Sequence, residues 1–127
     1  MAETALTAEL KRFIAGYIPS LEHLEILLLL AGPPPRPWTV ASVYDVIKSS
    51  DTGVQKALDE LAEMKLVARE GANYKYAPAS PEIAKLVADL ADAYRTRRIR
   101  VVEVIYSPEL DTLREFQRAF RFRKKEE

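Results

Sequence analysis

Residues 39–78, TVASVYDVIKSSDTGVQKALDELAEMKLVAREGANYKYAP, decide the fold. They read as two short amphipathic helices, a tight turn between them and a small β-hairpin. Val40, Val43, Tyr44 and Ile47 fall at i, i+3, i+4 and i+7, and Val54, Ala57, Leu58 and Leu61 repeat that spacing. Each helix therefore presents one apolar stripe to a core. The link Lys48-Ser49-Ser50-Asp51 offers three N-cap candidates. Thr52-Gly53-Val54-Gln55 fits the capping-box pattern, in which a hydroxyl and an amide satisfy orphan backbone donors reciprocally. After Met64 the residues become strand formers: Leu66 to Glu70, a loop of Gly71, Ala72 and Asn73, then Tyr74 to Ala77, closed by Pro78. A two-stranded hairpin alone is marginal in water, so this one must lean on the preceding helices.

Toward the N-terminus, Pro19-Ser20 introduces LEHLEILLLLAG, with Ser20 as cap and Gly32 as stop. Ile26 to Leu30 is apolar on every side, which predicts the central buried helix. The following Pro33-Pro34-Pro35-Arg36-Pro37 cannot be helix and reads as a stiff extended connector. A ligand for an aromatic groove is the functional alternative, disfavoured because the run lies inside the fold. Trp38 precedes the Thr39 cap and is expected to act as a hydrophobic staple. Residues 7–17 form a further helix, capped by Thr7, with Leu10, Phe13, Ile14 and Tyr17 on one face.

Beyond Pro78, Ser80-Pro81-Glu82 is a strong helix start, combining a cap, a proline at the first position and an acid at the positive helix end. Helical spacing through Ile83, Leu86, Val87, Leu90, Tyr94, Arg98, Val101, Val102 and Ile105 predicts one long helix of about 26 residues, ~39 Å in length. The β-branched run 99–105 also fits a strand. Helix is preferred because no partner strand is visible. Ser107-Pro108-Glu109 repeats the start signal and opens a last helix with Leu110, Leu113, Phe116 and Phe120 on one face. Arg114, Arg118, Arg121 and Lys125 lie on another, and the tail RFRKKEE is expected to fray.

The order of elements from Ser20 to Pro78 resembles the winged helix-turn-helix fold of MarR-like and related bacterial transcription regulators. VQKALDELAEMKLVAREGANYKYAP stands where their recognition helix and wing stand. One departure is Lys65, at a turn where such families often carry glycine, and a left-handed residue there would be slightly strained. The expected architecture is mostly α with a small β-hairpin: an N-terminal helical extension over 1–19, a winged helix-turn-helix domain over 20–79, and over 80–127 the long helix with the final amphipathic helix. The resemblance implies dimerisation through the added helices. The expected dimer face comprises Phe13, Leu110, Leu113, Phe116 and Phe120, which present more apolar surface than one small core can cover.

At 127 residues the chain suits one domain with appended helices, burying ~65% of its extended-chain surface. It has no cysteine, which excludes thiol catalysis and disulfides and fits a reducing compartment. The N-terminus lacks the basic and apolar regions of a signal peptide, and the run Ile26 to Ala31 is too short to span a bilayer. The expectation is a soluble, cytoplasmic protein without membrane contact. Charge reverses along the chain: residues 1–93 carry 9 Lys+Arg against 13 Asp+Glu, and residues 94–127 carry 10 against 6. The element expected to meet DNA is thus in the acidic part.

For DNA binding the expected carriers are Ser50, Thr52, Gln55 and Lys56 at the start and outer face of the second helix of the pair. Gln can read adenine with two hydrogen bonds, and Thr and Lys can reach phosphates or bases. Arg69 and Lys75 on the wing would hold the backbone, and Arg95, Arg97 and Arg98 could add phosphate contacts by charge alone. Asp59, Glu60 and Glu63 on the same helix oppose this. Two alternatives stay open: a winged scaffold used as a protein-interaction adaptor, and arginines that grip an acidic protein partner. His23 stands beside Glu22 and Glu25, but no second His and no Cys can complete a metal site. No triad or phosphate loop is present, so neither catalysis nor a cofactor is expected. The reading is a homodimeric transcriptional regulator that binds double-stranded DNA.

Overall fold

Thr39 and Ser42 start the helix at the head of the decisive stretch by bonding each other's backbone. The Ser42 N–H donates to Thr39 Oγ1 at 3.1 Å, and the Thr39 N–H donates to Ser42 Oγ at 2.9 Å. In this computed structural model, which describes residues 6–125 and their side chains as far as residue 119, that helix is the third of seven. The order is α1 (Ala8–Tyr17), α2 (Leu21–Ala31), α3 (Val40–Ile47), α4 (Asp51–Glu63), β1 (Val67–Glu70), β2 (Asn73–Tyr76), α5 (Pro81–Thr96), α6 (Arg98–Ile105) and α7 (Pro108–Lys125). The protein is thus mostly helical, with one small antiparallel sheet among the described residues. The described residues fall into two compact units, Leu21–Ala88 and a second formed by residues up to Ser20 together with Asp89 onward.

The first unit is built on α2. Leu24, Ile26, Leu27 and Leu30 are buried, as the all-round apolar run predicts, and Val43 of α3 with Val54, Ala57, Leu58 and Leu61 of α4 complete the helical core. The expected box at Thr52 and Gln55 does not form. Ser50 is the N-cap of α4, accepting from Gly53 N–H at 2.9 Å, which places Thr52 inside the helix and frees Gln55 for tertiary contacts. The capping box sits instead at Thr39, with serine as its second member. At Gly53 a Cβ would lie 2.8 Å from the capping Ser50 Oγ and 2.9 Å from the Glu22 carboxylate, so any larger residue would have to displace these side chains.

The end of α4 follows Schellman geometry. Lys65 N–H donates to Ala62 O at 3.0 Å and Leu66 N–H to Leu61 O at 3.1 Å, with Leu66 fully buried. This geometry puts Lys65 in the left-handed region at φ 66°, the strained non-glycine position the sequence marked. The hairpin pairs Val67 with Tyr76 and Glu70 with Asn73 around a two-residue loop. Only its first residue, Gly71, has positive φ (62°), the pattern of a type II′ turn. Trp38, expected only as a staple, exchanges two 2.7 Å backbone hydrogen bonds with Tyr74.

In the second unit the predicted single long helix is two helices. Arg97, at φ −137° and ψ 50°, separates α5 from α6. The break follows Thr96, whose hydroxyl donates to Asp92 O at 2.9 Å and competes with the backbone ladder, a contact that bends helices. Residues 99–105 are helical, not strand: Val101, Val104 and Ile105 are buried at helical spacing while Ile99 is exposed. Ser107 caps α7 by accepting from Leu110 N–H at 3.2 Å.

Arg114, which spacing sets on a different face of α7 from Leu110 and Leu113, is half-buried. Its guanidinium donates to Ile105 O at 2.8 Å and to Ile18 O at 3.0 Å, closing the C-terminal ends of α6 and α1. Its Nε is buried without a hydrogen-bond partner. Phe13 and Leu110 are buried inside this same unit, Leu113 is half-buried and Phe116 is 70% exposed. Phe120 lies outside the residues whose side chains are described.

Two stability outcomes follow. Arg114→Met should cost about 2–3 kcal/mol in urea unfolding, because two helix-end carbonyls lose their donor, whereas Arg118→Ala should stay within about 0.5 kcal/mol. Lys65→Gly should raise stability by roughly 1 kcal/mol, since glycine takes the left-handed position without the Cβ penalty.

Candidate nucleic-acid interface

The outer face of α4 bounds an open hollow of about 670 Å³ lined by Val40, Asp51, Thr52, Gln55, Lys56, Asp59, Glu60 and Glu63. It gathers four carboxylates around one ammonium. The carboxylates do not all face outward with equal freedom, because two are tied to other elements of the unit.

Asp59 is the centre of the first tie. Tyr74 OH donates to its Oδ1 at 2.6 Å, Arg69 Nη1 donates to the same oxygen at 2.9 Å, and Gln55 Nε2 donates to Oδ2 at 3.0 Å. Gln55 Nε2 also donates to Tyr74 OH at 2.7 Å. The Tyr74 hydroxyl, then Gln55 and Arg69, hold the Asp59 carboxyl below its ordinary pKa against the opposing effect of desolvation. Burial, reinforced by the Asp59 carboxylate, raises the Tyr74 phenol above its ordinary value, so it stays protonated as the donor. The second tie is Glu60, whose Oε1 lies 2.7 Å from Nε2 of buried His23 on α2. A third contact joins α2 to the turn before α4, where Ser49 Oγ donates to Glu22.

These ties redistribute the expected DNA readers. Thr52 and Lys56 are exposed on the α4 face. Ser50 spends its hydroxyl on the cap. Gln55 is half-buried, with both amide N–H groups committed inside the protein, so the two-bond reading of adenine expected of it is blocked while the tie holds. Arg69 and Lys75 do not act as a pair. Arg69 is paired with buried Tyr74 and Lys75 with Ala68, and adjacent cross-strand pairs point to opposite faces of a hairpin. Arg69 consequently turns toward α4, with its guanidinium 5.3 Å from the Tyr74 ring centroid, and Lys75 is exposed on the other face.

Arg95, Arg97 and Arg98 are exposed and belong to the other compact unit. Arg95 forms an ion pair with Asp92, and Arg98 lies 5.2 Å over the Tyr94 ring. The i,i+4 spacing of Gln55 and Asp59 is a local signal that pointed to their contact. Nothing local in the sequence joined Asp59 to Tyr74 or Glu60 to His23. Among the described residues no group of three His, Asp or Glu side chains is placed to hold a metal ion, and no single helix is long and apolar enough to cross a membrane. Neither a family model, nor a curated protein, nor a solved structure matches this chain.

The Asp59 tie has a pH signature. Its folded carboxyl pKa is lowered, so its contribution is present above the ordinary carboxylate range and is lost as pH falls through the folded value. Tyr74→Phe should cost about 1–2 kcal/mol at pH 7, and the gap from the parent should shrink below about pH 4, as read by urea unfolding at both pH values.

Proposed function

We propose that the unit Leu21–Ala88 is a winged helix-turn-helix module that binds double-stranded DNA, in a non-enzymatic transcriptional regulator. The observation that carries this reading is the inward commitment of Asp59 and Glu60, which leaves Thr52 and Lys56 as solvent-facing side chains in the first turns of α4. The succession of α3, a three-residue turn, α4 and a hairpin, with Trp38 bridged to Tyr74 at the sheet edge, supports the winged arrangement. In this reading α4 lies in the major groove, and the ties through Asp59 and Glu60 set its angle against the hairpin and α2. Lys56 and Lys75 neutralise phosphates and release counterions. Base discrimination falls to Thr52 and Lys56, a short readout that gives modest sequence preference.

A second reading is a protein-interaction adaptor on the same scaffold. It is favoured by exposed Asp51 and Glu63 beside the hollow and by the locked Gln55, which together present an acidic surface with one weak base reader. In either role we propose a cytoplasmic homodimer. Of the expected dimer residues with described side chains, Phe116 is the exposed one.

Fluorescence anisotropy with duplex DNA from the gene's own upstream region, beside a scrambled duplex and at several salt concentrations, separates the two. Binding that weakens steeply with salt is the expected result. Lys56→Ala and Lys75→Ala should each lower the salt slope by about 1, and Gln55→Ala should lower thermal stability, not only affinity. No binding at low salt would transfer the face to a protein partner. Phe116→Asp should convert dimers to monomers by light scattering, and a monomeric parent at micromolar concentration would remove the dimer.

A further inference from the structure

We propose that the junction of α5 and α6 is a docking surface for an acidic protein segment bearing apolar side chains. Ile99 is its apolar centre, with Arg95, Arg97, Arg98 and Arg100 as its charged rim. The stretch Tyr94 to Arg100 holds four arginines and no acid. All four are exposed, and Ile99, at 75%, exceeds the exposure of Val46, Tyr106 and Phe116. The fold has no need of Ile99, because Val101, Val104 and Ile105 already fill the buried side of α6.

The arginines are partly organised before any partner arrives. Arg95 pairs with Asp92, Arg100 Nη1 lies 3.8 Å from Glu103, and Arg98 sits over Tyr94. Exposed ion pairs of this kind contribute little stability, so a partner carboxylate can replace Asp92 or Glu103 at small cost. A guanidinium carries five N–H donors in a planar fork that matches a carboxylate.

Charge alone would suit a polynucleotide as well as a protein. The isoleucine decides between them. Phosphate contacts work by counterion release and leave an exposed aliphatic side chain in water. Protein interfaces bury an apolar centre inside a polar rim and are enriched in arginine. The surface uses none of the α4 residues, so it stands independently of the DNA reading.

The test uses the full chain and two fluorescein-labelled peptides of equal negative charge. One is Glu-rich with leucines at i, i+3, i+4 and i+7, and the other has those leucines replaced by serine. The leucine peptide is expected to bind about tenfold more tightly than the serine peptide, the scale of one buried isoleucine contact. Ile99→Ser should erase that difference without changing the melting temperature, and the double variant Arg97→Gln, Arg98→Gln should weaken both peptides. Lys56→Ala should leave both unaffected while lowering any affinity for duplex DNA, which separates this surface from the α4 face. Equal affinity for the two peptides, no binding of either, or indifference to Ile99→Ser would overturn the proposal. Loss of duplex DNA alone in the arginine variant would reassign the surface to polynucleotide.

Discussion

One carboxylate, Asp59, holds the hairpin to the helix before it. Three donors converge on it, two from the hairpin and one from its own helix. Strands of four residues do not persist alone in water, and the apolar contacts of Val67 and Tyr74 anchor only one face of the sheet. The Asp59 network fixes the other variable, the angle at which the hairpin leaves α4. The bonds from Tyr74 and Gln55 are partly buried, which strengthens them and makes them cooperative, so removing one donor disturbs the other. The same network decides what α4 can offer outward, because it commits both amide N–H groups of Gln55 inside the protein.

A common pattern runs through both units. Side chains that read as functional charge are used where elements end or meet. Glu60 joins α4 to α2 through His23, Glu22 reaches the turn before α4, and Arg114 caps the ends of α1 and α6. The His23 and Arg114 contacts satisfy polar groups that partial burial would otherwise leave without a partner, which is why such residues sit at helix ends and junctions. Outside these contacts, Lys56 and Lys75 are exposed in the first unit and Arg95, Arg97, Arg98 and Arg100 in the second.

The elements built on local rules were legible in the sequence. Apolar spacing located α3 and α4 and the buried residues of α4, while of the α3 stripe only Val43 is buried and Val40, Tyr44 and Ile47 are half-buried; the two Ser-Pro-Glu signals located the starts of α5 and α7, and the Gly71 loop located the hairpin. Misreadings arose where a local preference lost to a tertiary contact. Thr52 and Gln55 match a capping box, but Ser50 took the cap and Tyr74 took Gln55. Helical spacing ran unbroken through Arg97, and the side-chain bond of Thr96 that accompanies the break has no periodic signature. Arg114 shares its helical spacing with exposed Arg118 and differs from it in facing two carbonyls from distant parts of the chain. The candidate face was legible as a list of residue types, but not as a set of commitments, because Asp59 and Tyr74 lie 15 residues apart.

Trp38 carries a consequence for solubility. A sheet edge exposes unpaired amides and carbonyls that a neighbouring chain can extend. On the β2 side, Trp38 occupies that edge with both of its backbone groups, and the residue before it is proline, which has no N–H to offer. Pro33, Pro34 and Pro35 continue the same chemistry, and Arg36 folds its guanidinium over the indole at 3.7 Å. The connector that cannot be helix thus also occupies the sheet edge at Tyr74, where its prolines offer no N–H to continue a strand.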